Sequence, residues 1–176
     1  MNPSTREEQL WRELGDLFAE DDGSIPEIRL LEVSADGAAN IFDELRSRAE
    51  PLEANQTVWL DEREEELPVR DVPDAGALAA TGRISTLHVV LRGIRSRGTR
   101  LPDLGISIWP SEVALDYRMG GEWNAGVLAA FVELLGELRK LGPGARLAAA
   151  GELHLMAEPV QQRFQRAIDR YFASTD

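Results

Sequence analysis

The sequence contains no cysteine and only two histidines, His88 and His154. Without cysteine the chain cannot form disulfides, thiolate nucleophiles or zinc–thiolate sites. The two histidines are far apart in the sequence and match no metal-ligand spacing, so His88 is expected to be a hydrogen-bonded structural residue. The sequence also lacks a G-x-S-x-G nucleophile turn and a glycine-rich loop for phosphate. We therefore predict no catalytic residue, no metal site and no cofactor.

Long apolar runs are missing as well. The longest, residues 127–135, is interrupted by Glu133 and is too short to cross a bilayer. The polar residues 1–8 contain no apolar core of a signal peptide. Together with the absence of cysteine, these features predict a cytoplasmic protein without membrane association. The chain has 176 residues, of which 43% are hydrophobic, so we expect one globular domain over residues 1–176.

Basic residues are scarce compared with acidic ones. The chain has 19 Lys and Arg against 31 Asp and Glu, which gives a formal net charge of -12. Such a surface attracts basic partners and repels nucleic acid and anionic membranes. The charge therefore predicts a protein partner, most simply a basic domain, and excludes nucleic acid.

The densest group of acids is residues 61–66, which hold five carboxylates and one arginine directly after a β-rich segment. Consecutive residues at the end of a strand point to both of its faces, so they converge poorly on a metal ion. The spacing is also not that of a calcium-binding loop. Two interpretations remain open: a solvated charged stretch, or a patch that pairs with a basic partner.

Residues 83–100 have the opposite character, with five arginines and no acid. They could contact an anionic ligand, in which case Arg92, Arg95, Arg97 and Arg100 would form the site. The alternative is that these arginines pair with acidic neighbours inside the protein, such as residues 61–66. The net charge of the chain favours the internal pairing.

Periodicity predicts an α+β fold, with helices packed on a mainly antiparallel sheet of four to five strands. Residues 104–109 and 113–117 alternate and flank a turn with proline, which predicts a hairpin. Residues 67–82 read as a long connection with about one helical turn, and residues 146–154 fit either a strand or a loop. The remaining predicted strands are 28–33, 57–60 and 84–94, and the predicted helices are 4–20, 38–49, 124–141 and 158–173.

The strand–turn–strand–helix block of residues 104–141 begins Leu-Gly-Ile-Ser-Ile-Trp-Pro-Ser-Glu-Val-Ala-Leu-Asp-Tyr. It resembles the small acidic bacterial immunity proteins of polymorphic toxin systems. This resemblance covers about a fifth of the chain. It implies a stoichiometric inhibitor that occludes the active site of a toxin through acidic residues facing a basic cleft.

The leading hypothesis is thus a non-enzymatic protein-binding module, most concretely an immunity protein for a basic toxin domain. Aromatic anchors beside carboxylates are typical of protein-binding surfaces. The candidate partner-binding residues form two patches, Trp59, Asp61, Glu62, Glu64, Glu65 and Glu66 in one, and Trp109, Glu112, Asp116 and Glu122 in the other. The alternative is a ligand-binding or enzymatic domain that uses the arginines of residues 83–100. A pocket lined by His88 and two converging acids would favour this alternative.

Overall fold

The computed structural model describes residues 3–85, 87–151 and 154–173. Five strands form the main sheet in the order β4-β7-β8-β1-β9, and two separate hairpins, β2–β3 and β5–β6, lie outside it. The helices are α1 (Pro3–Leu14), α2 (Ala35–Arg48), α3 (Ala75–Ala80), α4 (Ala125–Leu141) and α5 (Glu158–Ala173). The strands are β1 (Glu27–Leu31), β2 (Thr57–Leu60), β3 (Glu65–Pro68), β4 (Leu87–Leu91), β5 (Arg95–Ser96), β6 (Thr99–Arg100), β7 (Leu104–Trp109), β8 (Glu112–Tyr117) and β9 (Arg146–Ala150).

Every strand pair in the main sheet is antiparallel. The structure thus confirms the predicted α+β class and the predicted sheet of four to five strands. The hairpin β7–β8 forms as predicted around a turn of Pro110 and Ser111. Proline favours the first turn position, and Ser111 takes a left-handed φ of 67° to close the turn. This hairpin occupies the middle of the sheet and fixes the positions of its neighbours.

The strands alternate between a helix-packed face and a polar face. Residues such as Leu30, Leu115 and Ile106 are fully buried against the helices. Alternate positions on β1, β4 and β8 point to the other side of the sheet, because side chains reverse direction at each residue. That second face, which we call the open face, carries Glu27, His88 and other charged residues.

Two of the helices, α2 and α4, begin at a side-chain cap. The Asn124 side chain accepts hydrogen bonds from the amides of Gly126 and Val127 at the start of α4. Ser34 accepts a bond from Gly37 in the same way, so α2 begins earlier than the predicted residue 38. No helix in the described part of the chain is long and apolar enough to cross a membrane.

Two predicted segments differ from the structure. The first helix ends at Leu14 instead of Glu20 and continues as a short 3₁₀ turn, Gly15–Leu17, at the glycine. Residues 67–82 are not a simple connection, because they contain the end of β3, a 3₁₀ turn and α3. In α3, Gly76 lies against Phe42, and a Cβ atom at position 76 would be only 2.9 Å from the Phe42 Cβ. Close packing therefore explains why this helix contains a glycine, a residue with low helix propensity.

Candidate functional site

The predicted acidic patch lies on the hairpin β2–β3, which we call the acidic hairpin (residues 57–68). Val58 and Leu60 point into the core, whereas Trp59 points outward and is 49% exposed. Trp59 faces Glu66 on the paired strand. Asp61 and Glu64 lie in the turn between the two strands and are exposed, with Glu64 in a left-handed conformation at φ 51°.

The carboxylates of the acidic hairpin are only partly neutralised. Glu62 forms an ion pair with Arg83, in which one guanidinium nitrogen lies 2.7 Å from each of the two carboxylate oxygens. Glu66 accepts a hydrogen bond from Thr57, and Glu65 has a long contact of 3.5 Å with Arg63. Asp61 and Glu64 have no ion-pair partner within the described residues. The acidic hairpin therefore carries both an exposed aromatic ring and two exposed carboxylates without an ion pair among the described residues.

The second predicted patch is not a single acidic surface. Trp109, Glu112 and Asp116 occupy the open face, but Glu112 is paired with Arg29 at 3.1 Å. Asp116 is bonded to His88. Of the three acids in this patch, only Glu122, beyond the end of β8, is exposed and has no ion pair among the described residues. Trp109 is half-buried. The four residues are therefore spread along and beyond the sheet, and two of their three carboxylates are paired with other residues, Glu112 with Arg29 and Asp116 with His88.

Trp123 belongs to the core and not to a binding surface. Its ring lies 4.8 Å from Phe18 and 5.2 Å from Tyr117, centroid to centroid, within a cluster that includes Phe131. The indole N–H donates to the carbonyl of Arg118. This contact fixes the chain that leaves β8, which positions Arg118 and Glu122 at the end of the open face.

The arginines of residues 83–100 do not converge on one anion site. Arg92 pairs with Glu53 and Asp103, while Arg97 reaches Glu133 on α4 at 2.6 Å. Arg100 lies 3.4 Å from Glu50, and Arg83 pairs with Glu62 as described above. Arg95 donates to the carbonyl of Gly98 within the hairpin β5–β6. Internal pairing, the interpretation favoured by the net charge, accounts for four of these five arginines.

His88 and Asp116 meet across an intervening strand. His88 lies on the edge strand β4 and Asp116 on β8, and β7 runs between them. The His88 Nε2 atom is 2.9 Å from the Asp116 carboxylate. Gly105 on β7 makes this possible, because a Cβ atom there would lie 2.1 Å from the Asp116 Oδ2. The contact raises the pKa of His88, chiefly through the hydrogen bond from its ring to the carboxylate.

A line of charged groups continues from Asp116 across the open face. Glu27 on β1 is directly opposite Asp116 in the register of the sheet. Arg29 bonds Glu27 at 2.7 Å and reaches Glu112 at 3.1 Å. Ala114 and Ala148 flank Arg29 on the neighbouring strands, so small side chains leave space for its guanidinium. Burial raises the pKa of Glu27, with Asp116 and Glu112 adding to the effect.

His88 and Asp116 line an open cleft of about 700 Å3 at one end of the open face. The charged residues at its wall are His88, Arg100, Asp103, Asp116, Arg118 and Glu122, and the apolar residues are Ile25, Val90, Leu101 and Pro102. The cleft is thus lined by His88 and three acids, of which Asp116 bonds the imidazole and Asp103 is paired with Arg92. Of the four arginines predicted for an anion site, only Arg100 lines it.

Sequence reasoning missed Glu27, Arg29, Gly105 and Arg118 as members of this cleft and its surroundings. A glycine within an apolar alternating strand was the available signal, because such a glycine often marks a close approach of other atoms. Within residues 3–85, 87–151 and 154–173, no three His, Asp or Glu residues are grouped so as to hold a metal ion.

Comparison of the chain with protein-family models, with curated proteins and with solved structures gives no match.

Proposed function

We propose that this protein is a cytoplasmic, non-enzymatic protein-binding module that recognises a basic protein domain through the acidic hairpin. The observation that carries the proposal is the half-exposed indole of Trp59 on the same short hairpin as Asp61 and Glu64, two carboxylates without an ion pair among the described residues. Its most concrete form is an immunity protein that covers the active site of a cognate bacterial toxin, as the resemblance of residues 104–141 implies.

Aromatic anchors and surrounding charges have different effects on binding. Burial of a tryptophan at the centre of an interface contributes a large share of the affinity and slows dissociation. Free carboxylates attract a basic partner over a distance and increase the association rate, an effect that salt weakens. Trp59 is one of three large hydrophobic residues exposed in the described structure, together with Ile25 and Leu155. Of these, only Trp59 is on the acidic hairpin.

The structure of the hairpin is suited to presenting this side chain. Val58 and Leu60 anchor β2 in the core, so the outward position of Trp59 follows from the alternation of the strand. The pair between Glu62 and Arg83 ties the turn to the chain after α3. The surface is therefore held in place before a partner arrives, which lowers the ordering cost of binding.

The test is to purify the partner from the source organism with tagged protein and to measure its binding at several salt concentrations. We expect a basic partner whose association rate falls steeply with added salt. Trp59→Ala should weaken binding by roughly tenfold or more, mainly through faster dissociation. The double variant Asp61→Asn/Glu64→Gln should slow association and reduce its dependence on salt.

The matched control is Glu20→Gln/Asp43→Asn, which removes the same charge at two exposed positions away from the hairpin. If Trp59→Ala and Asp61→Asn/Glu64→Gln both bind the partner as the parent protein does, the acidic hairpin is not the contact surface. If the partner is a toxin, its activity should be inhibited at a one-to-one ratio. A partner that remains fully active in the complex would contradict the immunity role while leaving the binding role intact.

A further inference from the structure

The cleft beside His88 combines apolar walls with a charged end. Ile25, which is 44% exposed, and the partly exposed Val90 and Pro102 supply the apolar surface, and the buried Leu101 lies at the same wall. The His88–Asp116 pair lies over Gly105, and Glu122 lines the same cleft. An exposed apolar wall next to carboxylates is the surface that a long side chain or small molecule with a charged tip would contact.

Two carboxylates face each other behind this charged end. Glu27 and Asp116 are direct neighbours across β1 and β8, and like charges in this position destabilise a sheet. Arg29 neutralises Glu27, since their atoms are 2.7 Å apart. Within the described part of the chain, the ion pairs give Asp116 only His88 as an opposite charge, and only while the imidazole is protonated. With His88 neutral, Asp116 keeps an uncompensated negative charge.

The other charges of the cleft largely cancel in pairs. Arg100 lies 3.4 Å from Glu50, and Asp103 lies 3.4 Å from Arg92. Arg118 and Glu122 remain, with opposite signs and no ion pair of their own among the described residues. The cleft with neutral His88 is therefore negative by one charge, in a protein whose net charge is -12. This balance favours a cation over an anion.

We propose that this cleft is a binding site for an alkyl guanidinium or alkyl ammonium group. The cationic end lies against Asp116 and Glu122, and the alkyl chain covers Ile25 and the apolar wall beside it. The site is separate from the acidic hairpin and does not depend on the proposed function. Arginine-like and lysine-like groups have this form, whether they belong to a free small molecule or to a polypeptide.

Binding of such a cation and protonation of His88 oppose each other electrostatically, because both place a positive charge beside Asp116. The charged groups that face His88 are Asp116 on β8, Glu27 on β1, Arg100 and Asp103 before β7, and Arg118 and Glu122 after β8. By linkage, a bound cation must lower the pKa of His88, whereas a bound anion would raise it further. The direction of this change identifies the sign of the ligand.

The experiment follows the imidazole signals of the full-length protein by NMR while n-butylguanidinium is added. The chain has two histidines, so His154 serves as an internal control. We expect saturable changes at His88, none at His154, a lower pKa of His88 in the bound state, and tighter binding as pH rises. Asp116→Asn replaces a charged contact by a neutral one and should weaken binding of butylguanidinium roughly tenfold. Glu122→Gln should weaken it less.

Glu122→Gln keeps the test valid if Asp116→Asn perturbs the sheet, because residue 122 is exposed and outside the strands. Asp43→Asn is the matched control and should bind like the parent protein. Inorganic phosphate is the opposing probe. The proposal is overturned if butylguanidinium leaves His88 unchanged, or if phosphate binds there and raises its pKa.

A tripeptide with a central arginine and blocked ends distinguishes the two sources of the cation. Tighter binding of the peptide than of butylguanidinium would assign the group to a protein. Binding of butylguanidinium alone would assign it to a free small molecule, because the peptide backbone would then be excluded from the cleft.

Discussion

The side-chain amide of Gln56 bonds to the backbone of Val90 as a neighbouring strand would. Its Oε1 accepts from the Val90 N–H at 2.5 Å, and its Nε2 donates to the Val90 carbonyl at 3.2 Å. Gln161 does the same at the other edge of the sheet, accepting from the Ala149 N–H at 3.1 Å and donating to its carbonyl. Both edge strands, β4 and β9, thus have a glutamine in place of a further strand.

Removal of these amides should expose the edges. We expect Gln56→Ala and Gln161→Ala each to lower the free energy of unfolding by about 1 kcal/mol, because partly buried backbone groups lose their partners. The double variant should also self-associate, since unpaired edges can pair with each other. Urea denaturation and sedimentation velocity measure the two effects.

Gln162→Ala is a suitable control for these variants. Gln162 is adjacent to Gln161 but bonds only Glu158 on the exposed side of α5. A double edge variant that remains monomeric and as stable as the control would show that the glutamines do not protect the sheet.

A second prediction concerns the glycine under the Asp116 carboxylate. In Gly105→Ala the new Cβ would displace the carboxylate, which is the movable end of a side chain, so the main loss is the bond to His88. Alanine is favoured over glycine within a strand by about 0.5–1 kcal/mol, which offsets part of that loss. We therefore expect little change in stability but a pKa of His88 that returns toward its ordinary value of 6.5.

NMR titration of His88 measures this change directly. Gly121→Ala is the control, because no atom lies within 4 Å of a Cβ placed there and its φ is not left-handed. Asp116→Asn should lower the pKa of His88 in the same way. The explanation of Gly105 is wrong if its alanine variant titrates like the parent protein.

Some of these features follow from local sequence and others do not. The hairpin β7–β8 and the helix that follows it are predicted because their signals lie within a few residues of each other. From sequence alone, the region of β9 fits either a strand or a loop, because the Ala-rich residues 146–150 have a weak strand preference. They form a strand because they pair with β1.

The cleft could not be predicted because its members come from different strands. His88 and Asp116 are joined only by the strand order of the sheet, which no periodicity reveals. The acidic run at residues 61–66 was visible in the sequence, but which of its carboxylates are paired depends on the position of Arg83. The composition determines the net charge, but the fold determines which charged side chains form ion pairs and which do not.

A third prediction is that stability declines as pH rises above about 6.5, the ordinary pKa of histidine. The pKa of His88 is raised in the folded state, so its contribution is full below about pH 6.5 and is lost as pH rises through the folded value. The pKa of Glu27 is also raised, from 4.5, so ionisation of this buried carboxyl acts in the same direction at lower pH.

Urea midpoints between about pH 5 and pH 9 measure the decline. His88→Gln should remove the part of it that begins near pH 6.5 and leave the part due to Glu27. Replacement of the other histidine, His154→Gln, is the control. An unchanged slope above neutrality in His88→Gln would show that the pair with Asp116 does not contribute to stability.

The last prediction concerns Arg29, which compensates two carboxylates on the open face. Glu27 is 9% exposed, so Arg29→Met leaves a buried charge with Asp116 as its neighbour. We expect a loss of about 3 kcal/mol at neutral pH, the low end for breaking a buried ion pair. The loss should shrink toward pH 5, because protonation of Glu27 removes the unpaired charge. The double variant Arg29→Met/Glu27→Gln should recover much of the stability, whereas Arg29→Met/Glu112→Gln should recover less, since Glu112 is more exposed. Equal recovery by both partners in urea denaturation would contradict the assignment of Glu27 as the critical buried charge.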